Sequence, residues 1–293
     1  MHMTFRMLMC SLALTAAALP SQVRAQALKP LKRPQLSPAW IVDGLKTPEA
    51  VCYDAARDLL YVSNINENPA EKDGNGFLSK LTPEGVLAEL NWVTGLSAPK
   101  GMAVHGDRLY VSDITDLVEV DVNSGQILRR FTHPDAVFLN DVAADAAGRI
   151  YVSDSRKHCI FRFSGEALDL WCADTLIYRP NGLCIEGSSL LCGTAGSVLK
   201  IDTGSSSPRP AVYIDSTATG DVTDGLRPRG KKQYFLSDWS GATVLAGPGR
   251  VPAVVLDTAP QKINSADLEY IAKRKLLIIP TFFDNRVIAY LVK

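Results

Sequence analysis

Apolar and polar positions alternate along most of the chain in short runs, broken by turns of Gly, Asp, Asn and Lys. That spacing belongs to half-buried β-strands and not to helices. One phrase recurs: a polar turn, a small apolar strand, a tight turn, then a β-branched or aromatic strand ending on a polar residue. It reads PEAVCYDAARDLLYVSN from Pro48, PKGMAVHGDRLYVSD from Pro99, LNDVAADAAGRIYVSD from Leu139 and PNGLCIEGSSLLCGT from Pro180. It returns as TDGLRPRGKKQYFLSD from Thr223 and SADLEYIAKRKLLIIPT from Ser265. Helical periodicity of useful length is confined to the first residues of the chain.

The second residue of each copy is Glu49, Lys100, Asn140, Asn181, Asp224 and Ala266, at intervals of 51, 40, 41, 43 and 42 residues. Such a period is that of a four-stranded propeller blade. Two further strand-like runs lie between copies, for example 159–163 and 168–172 in the third unit. The sixth unit runs out of chain after three strands, at 267–271, 276–279 and 286–291, while a lone strand at 39–43 precedes the first unit. Lending that strand to the last unit closes the ring and removes an open sheet edge. The expected fold is therefore all-β: a six-bladed β-propeller of four-stranded blades, one domain over 39–293, after a Pro-rich lead-in at 26–38. Trp40 and Ile41 are expected to be buried in the closing blade.

Arg6, an apolar stretch at 7–19, Pro20 and a small-residue site at Val23-Arg24-Ala25 or Ala25-Gln26-Ala27 read as a secretory signal peptide over 1–25. The expected location is the periplasm or the medium. No stretch reaches the roughly 18 uninterrupted apolar residues of a membrane span. The 293 residues carry 31 Lys and Arg against 31 Asp and Glu, and 46% are hydrophobic. This balance excludes disorder and polyanion binding by net charge, hence a nucleic-acid partner. Five cysteines remain after cleavage: Cys52, Cys159, Cys172, Cys184 and Cys192. They match no zinc spacing. Cys159 with Cys172 and Cys184 with Cys192 fall on neighbouring strands, so the readings are two local bridges or buried free thiols.

If each blade's innermost strand starts at one mouth of the channel, residues at its start form a ring about the axis. Glu49, Asn140, Asn181 and Asp224 then supply an all-oxygen donor set of charge −2, suited to Ca²⁺, with Mg²⁺, Mn²⁺ or Zn²⁺ as alternatives. The plainer reading is that Asn and Asp cap turns there. GxSxG, HExxH, Walker and Rossmann patterns are absent.

These words, above all Glu49 with its following strand, Asn140-Asp141, Pro180-Asn181-Gly182 and Asp224-Gly225, resemble the senescence-marker-protein/gluconolactonase family of six-bladed propellers. Diisopropylfluorophosphatases and paraoxonases are more distant resemblances. The resemblance implies that Glu49, Asn140, Asn181 and Asp224 hold one divalent metal ion in the channel. The chain departs from the family in three places. Ala50-Val51 stand where Gly-Pro is common, Phe138 replaces an Arg two residues before the third-blade Asn, and Lys100 stands where paraoxonases have a His.

A pocket without that Arg favours a more apolar acyl substrate. Lys100 has three readings: it binds a substrate or product carboxylate, it replaces the metal beside Glu49 and Asp224, or it points to solvent. Asp141, His133 and Asn64 are further rim candidates, and the long loop from Asn64 to Gly76 is a candidate lid. The leading expectation is an exported, metal-dependent hydrolase of a small-molecule lactone or ester, with Asp224 as general base and Lys100 beside it. The alternative is a propeller that binds a ligand or protein without turnover, with a structural metal or none. No specific protein partner is inferable.

Overall fold

The computed structural model describes residues 28–293. The expected signal sequence at 1–25 lies outside them. Six four-stranded antiparallel sheets form the blades of a propeller. Blade 1 contains Pro48–Asp54, Leu59–Asn64, Gly76–Leu81 and Leu87–Leu96. The inner strands of blades 2 to 6 are Pro99–His105, Leu139–Ala144, Leu183–Glu186, Thr223–Gly230 and Glu269–Ile271. Among the described residues there is no α-helix, only two short 3-10 turns, and no helix long and apolar enough to cross a membrane.

The ring closes as the repeat count requires. Leu36–Val42 forms the outer strand of blade 6, antiparallel to Val287–Val292, with Leu36 opposite Val292 and Val42 opposite Val287. This strand begins earlier than the expected 39–43, inside the lead-in. Lys29–Pro30 also pairs, in parallel, with Arg250–Val251 of blade 5. A register shift between Pro38 and Trp40 turns the strand, so Ile41 faces solvent and Val42 the core. Trp40 is half-buried, its indole N–H donating to the Pro83 carbonyl at 2.9 Å. The expected burial of Ile41 is thus corrected.

The core is six wedges of apolar side chains, each made by two neighbouring blades. This geometry decides the cysteines. Ile160 lies opposite Cys172, and Leu183 opposite Cys192. Cys159 and Cys172, like Cys184 and Cys192, are therefore one residue out of step and point to opposite faces of their sheets. Each pair divides between two wedges. All five described cysteines are buried free thiols, and the local bridges do not form.

The recurring Ser and Asp of the phrase have a structural task. In blades 1, 2, 3 and 5 the ladder between the first two strands slips at the start of the inner strand, a bulge that re-aims the residues within it. Those residues are 49–50, 100–101, 140–141 and 224–225. A serine on the second strand occupies each gap. Ser63, Ser153 and Ser237 hydroxyls accept the backbone N–H of Ala50, Asp141 and Gly225 at 2.9, 2.9 and 2.7 Å, and the Ser112 hydroxyl donates to the Asn140 carbonyl. The acid directly after the serine ties down the loop backbone around it. Asp113 accepts from Ser97 and Ala98, and Asp154 from Val137, Phe138, Arg156 and Lys157.

Candidate active site at the channel mouth

The approach to each inner strand delivers one residue per blade to the mouth, through the bulge in blades 1, 2, 3 and 5 and from just ahead of the strand in blades 4 and 6. Glu49, Lys100, Asn140, Asn181, Asp224 and Ala266 are all buried, and the first five line one cavity of about 450 Å³. The floor beneath them is the next residue of each copy. Ala50, Gly101, Gly182 and Gly225 let the inner strands crowd together, and a Cβ on Gly182 would strike the Asp224 carbonyl. Asp141 and Asp267 are the other two members. Both are buried beside the Arg227 guanidinium, at 3.8 and 3.5 Å.

The ring is polar and incompletely hydrogen-bonded. The Asn181 amide N–H donates to Asp224 Oδ1 at 2.7 Å, and that of Asn140 to the Ser155 hydroxyl at 3.1 Å. Glu49 Oε2 and Asn181 Oδ1 are buried with no partner. Such orphans are rare in proteins, because each forgoes its hydration without compensation. Burial pushes the Asp224 carboxyl up to about 7, with the Asn181 hydrogen bond opposing and Asp141 reinforcing the shift. Burial, and then Asp224, raise Glu49 well above the usual carboxylate range, against the pull of Lys100.

Lys100 is 2% exposed, which removes the solvent-facing reading. Its ammonium donates to the Ala98 carbonyl at 2.8 Å and stands 4.5 Å from the centre of the Phe138 ring. Burial pulls it down to about 8, opposed by Glu49 and Asp113. No described ion pair joins it to a ring carboxylate. Phe138 also lines the cavity, with the Arg156 guanidinium 4.3 Å from its ring centre.

Three expected rim residues lie elsewhere. Asn64 is wholly buried: its amide accepts from Lys46 N–H at 3.0 Å and donates to Ser79 at 2.9 Å. It is blade 1's counterpart of Asp113 and Asp154, a loop tie. Asp141 lies in the floor, where its carboxylate accepts the N–H of Val142 and Leu183 at 2.7 and 2.5 Å. His133 makes a turn, its Nδ1 accepting Asp135 N–H at 3.0 Å while its ring packs on Phe161. Of the expected lid loop, Ile65 and Pro69 reach the cavity.

The upper wall was not anticipated. Ile65, Trp239 and Phe282 line it; Ile65 and Trp239 directly follow Asn64 and Asp238, the polar residues ending their blades' second strands, and Phe282 follows Thr281, one residue past the end of its own at Pro280. Arg179 also lines it, two residues before Asn181, the same phase that Phe138 holds before Asn140. An arginine thus stands at that phase one blade further round, with its guanidinium on Asp221 at 2.7 and 3.4 Å. Carrying the repeat alignment beyond the phrase itself locates all of these.

Among the described residues no group of three or more His, Cys, Asp or Glu is placed to hold a metal ion. The ring's donors are of another kind, two carboxylates and two amides. Its unpartnered Glu49 and Asn181 oxygens fit a hard, oxygen-seeking cation.

An NHL repeat model matches residues 138–163, which span the inner three strands of blade 3. No curated protein matches the chain. Among solved structures, the chain is similar to a catalytically inactive virginiamycin B lyase from Staphylococcus aureus with quinupristin. The identity is 8%, the TM-score 0.60, and the match covers 87% of this chain and 99% of that one. At that identity the likeness is one of fold, and the chain is a six-bladed β-propeller with a polar ring at one channel mouth.

Proposed function

We propose that the protein is an exported, metal-dependent hydrolase of a neutral lactone or ester. The observation that carries this reading is the pair of buried, unpartnered oxygens of Glu49 and Asn181 in a cavity that also holds Asn140 and Asp224. These four would hold the ion, calcium being the best match to their hardness and charge. When bound, it supplies Lewis-acid polarisation of a carbonyl.

The chain's own groups supply the rest. Asp224 takes a proton from the attacking water, a role suited to a buried carboxylate at the cavity. Asn181 holds its Oδ1 and so directs the other oxygen. The buried Lys100 ammonium is placed to receive the carboxylate that hydrolysis leaves. Phe138 and the aromatic wall exclude water and favour an apolar acyl or alkoxy group.

Aryl esters and lactones assayed on the mature chain, with calcium and with chelator, test the proposal. Turnover that disappears on chelation and returns with calcium is expected; absence of turnover on every substrate with calcium present rejects it. A second reading is a binding propeller without metal, favoured by the Lys100 charge beside Glu49. It requires a calcium-soaked wild type free of stoichiometric metal by elemental analysis.

A further inference from the structure

The cavity's upper wall has its own geometry. Trp239 and Phe282 rings meet at 78° with centres 5.6 Å apart, Trp239 and Phe283 at 79° and 5.8 Å, and Phe282 and Phe283 at 86° and 4.7 Å. Three mutually perpendicular rings form a corner. Two of them are open to ligand, Trp239 being 44% and Phe283 60% exposed.

The backbone is bent to make it. Phe282 has φ of +51°, a left-handed conformation that is strained for a bulky side chain. Bonds on either side hold it. Thr281 exchanges three hydrogen bonds with Arg286, at 2.8 to 3.0 Å, and Asn285 Oδ1 accepts Thr47 N–H at 2.7 Å. Consecutive phenylalanines thereby diverge, one into the mouth's apolar cluster and one onto the rim.

We propose that the substrate carries a neutral, flat aromatic group that stacks in the corner of Trp239, Phe282 and Phe283. The word substrate rests on the hydrolase reading; ring binding does not. A flat ring can lie on one face of such a corner while presenting its edge to another, the two arrangements aromatic pairs prefer. A flexible alkyl chain of equal area gains neither and loses more rotamer freedom on ordering. Neutrality of that group follows from the rim: Arg179 is engaged by Asp221 and Arg156 lies on Phe138. The cavity of about 450 Å³ has room for a fused bicyclic ring with a short acyl group.

Calorimetric titration of the mature chain with 2-naphthol and with 1-octanol, each with calcium and with chelator, tests this. Naphthol is expected to bind at least about tenfold more tightly than octanol, and that preference to vanish in Phe283→Ala and in Phe283→Ala with Trp239→Leu. Phe283→Tyr is expected to keep it. Both side chains are substantially exposed, so melts matching wild type are expected and identify folded variants. Octanol binding as tight as naphthol, no naphthol binding, or a preference unchanged in the double variant overturns the proposal. Naphthol binding in a protein that hydrolyses no ester leaves the corner standing and removes the hydrolase. Equal hydrolysis of alkyl and aryl esters without naphthol preference does the reverse.

Discussion

Two halves of the channel mouth share one backbone and differ in chemistry. On the side of blades 3 to 5, the repeat presents Asn140, Asn181 and Asp224, with Arg179 and Asp221 above. On the side of blades 6, 1 and 2, the ring continues through Ala266, Glu49 and Lys100, and what stands against it is the apolar cluster of Ile65, Ala98, Ile114, Ala266 and Phe282. The serine and acid that build the bulges recur on both sides, in Ser63 and Ser112 as in Ser153 and Ser237. The scaffold therefore repeats while the residues it displays do not. Internal repetition specifies where a side chain will stand, and the departures from repetition specify what happens there.

The comparison breaks most visibly if a scaffold acid is removed. Asp154→Ala strips four backbone N–H groups of their acceptor, and we expect a loss of about 3 kcal/mol or more. In a domain of this size that lowers Tm by roughly 10 °C, read from a thermal melt. An unchanged melt would mean that the repeated acid is decorative.

Asp224→Asn is expected to do the opposite. Turnover falls roughly 10²-fold or more, while stability holds or rises, because an ionisable group leaves a buried position. The same variant carries a pH signature. Without metal, the folded chain keeps a proton on Asp224 up to about 7, whereas the unfolded chain releases it near 3.8. Folded protein thus binds the extra proton between those values, and this group's contribution to stability is lost as pH rises from about 4 to about 7. The difference between wild type and Asp224→Asn in pH-resolved denaturant titrations isolates it, and calcium, which favours the ionised form, is expected to abolish the decline. A wild type whose slope equals the variant's would place the Asp224 proton elsewhere.

The smallest effect sharpens the boundary of the site. His133→Ala loses one ring contact with Phe161 and a turn bond, so we expect less than about 1 kcal/mol and unchanged kinetics. A loss of activity would move the rim outward to the loop before blade 3.

What could be read from the chain followed the strength of the repeat. Blade number, closure by an N-terminal strand and the gathering of the ring residues at one mouth all rest on a phrase repeated in six copies. The errors fall where one residue of register matters. Ile41 and the cysteine pairs depend on which face of a strand a side chain takes, and one residue of register changes that without changing the spacing. Asn64 and Asp141 were assigned by their polarity, although one ties a loop and the other sits in the floor beside Arg227. Trp239 and Phe282 escaped notice because they follow the phrase instead of lying within it.

The closing blade also sets an order of events during synthesis. Five blades are built from contiguous chain, so each can form as soon as its own segment is available. The sixth joins a strand near the start of the described chain to the last one, with Leu36 beside Val292. The ring consequently stays unlatched until Val287–Val292 is available to pair. Moving the N-terminal strand to the C-terminus, by circular permutation, would turn this long-range closure into a local hairpin and let the protein lock as it emerges.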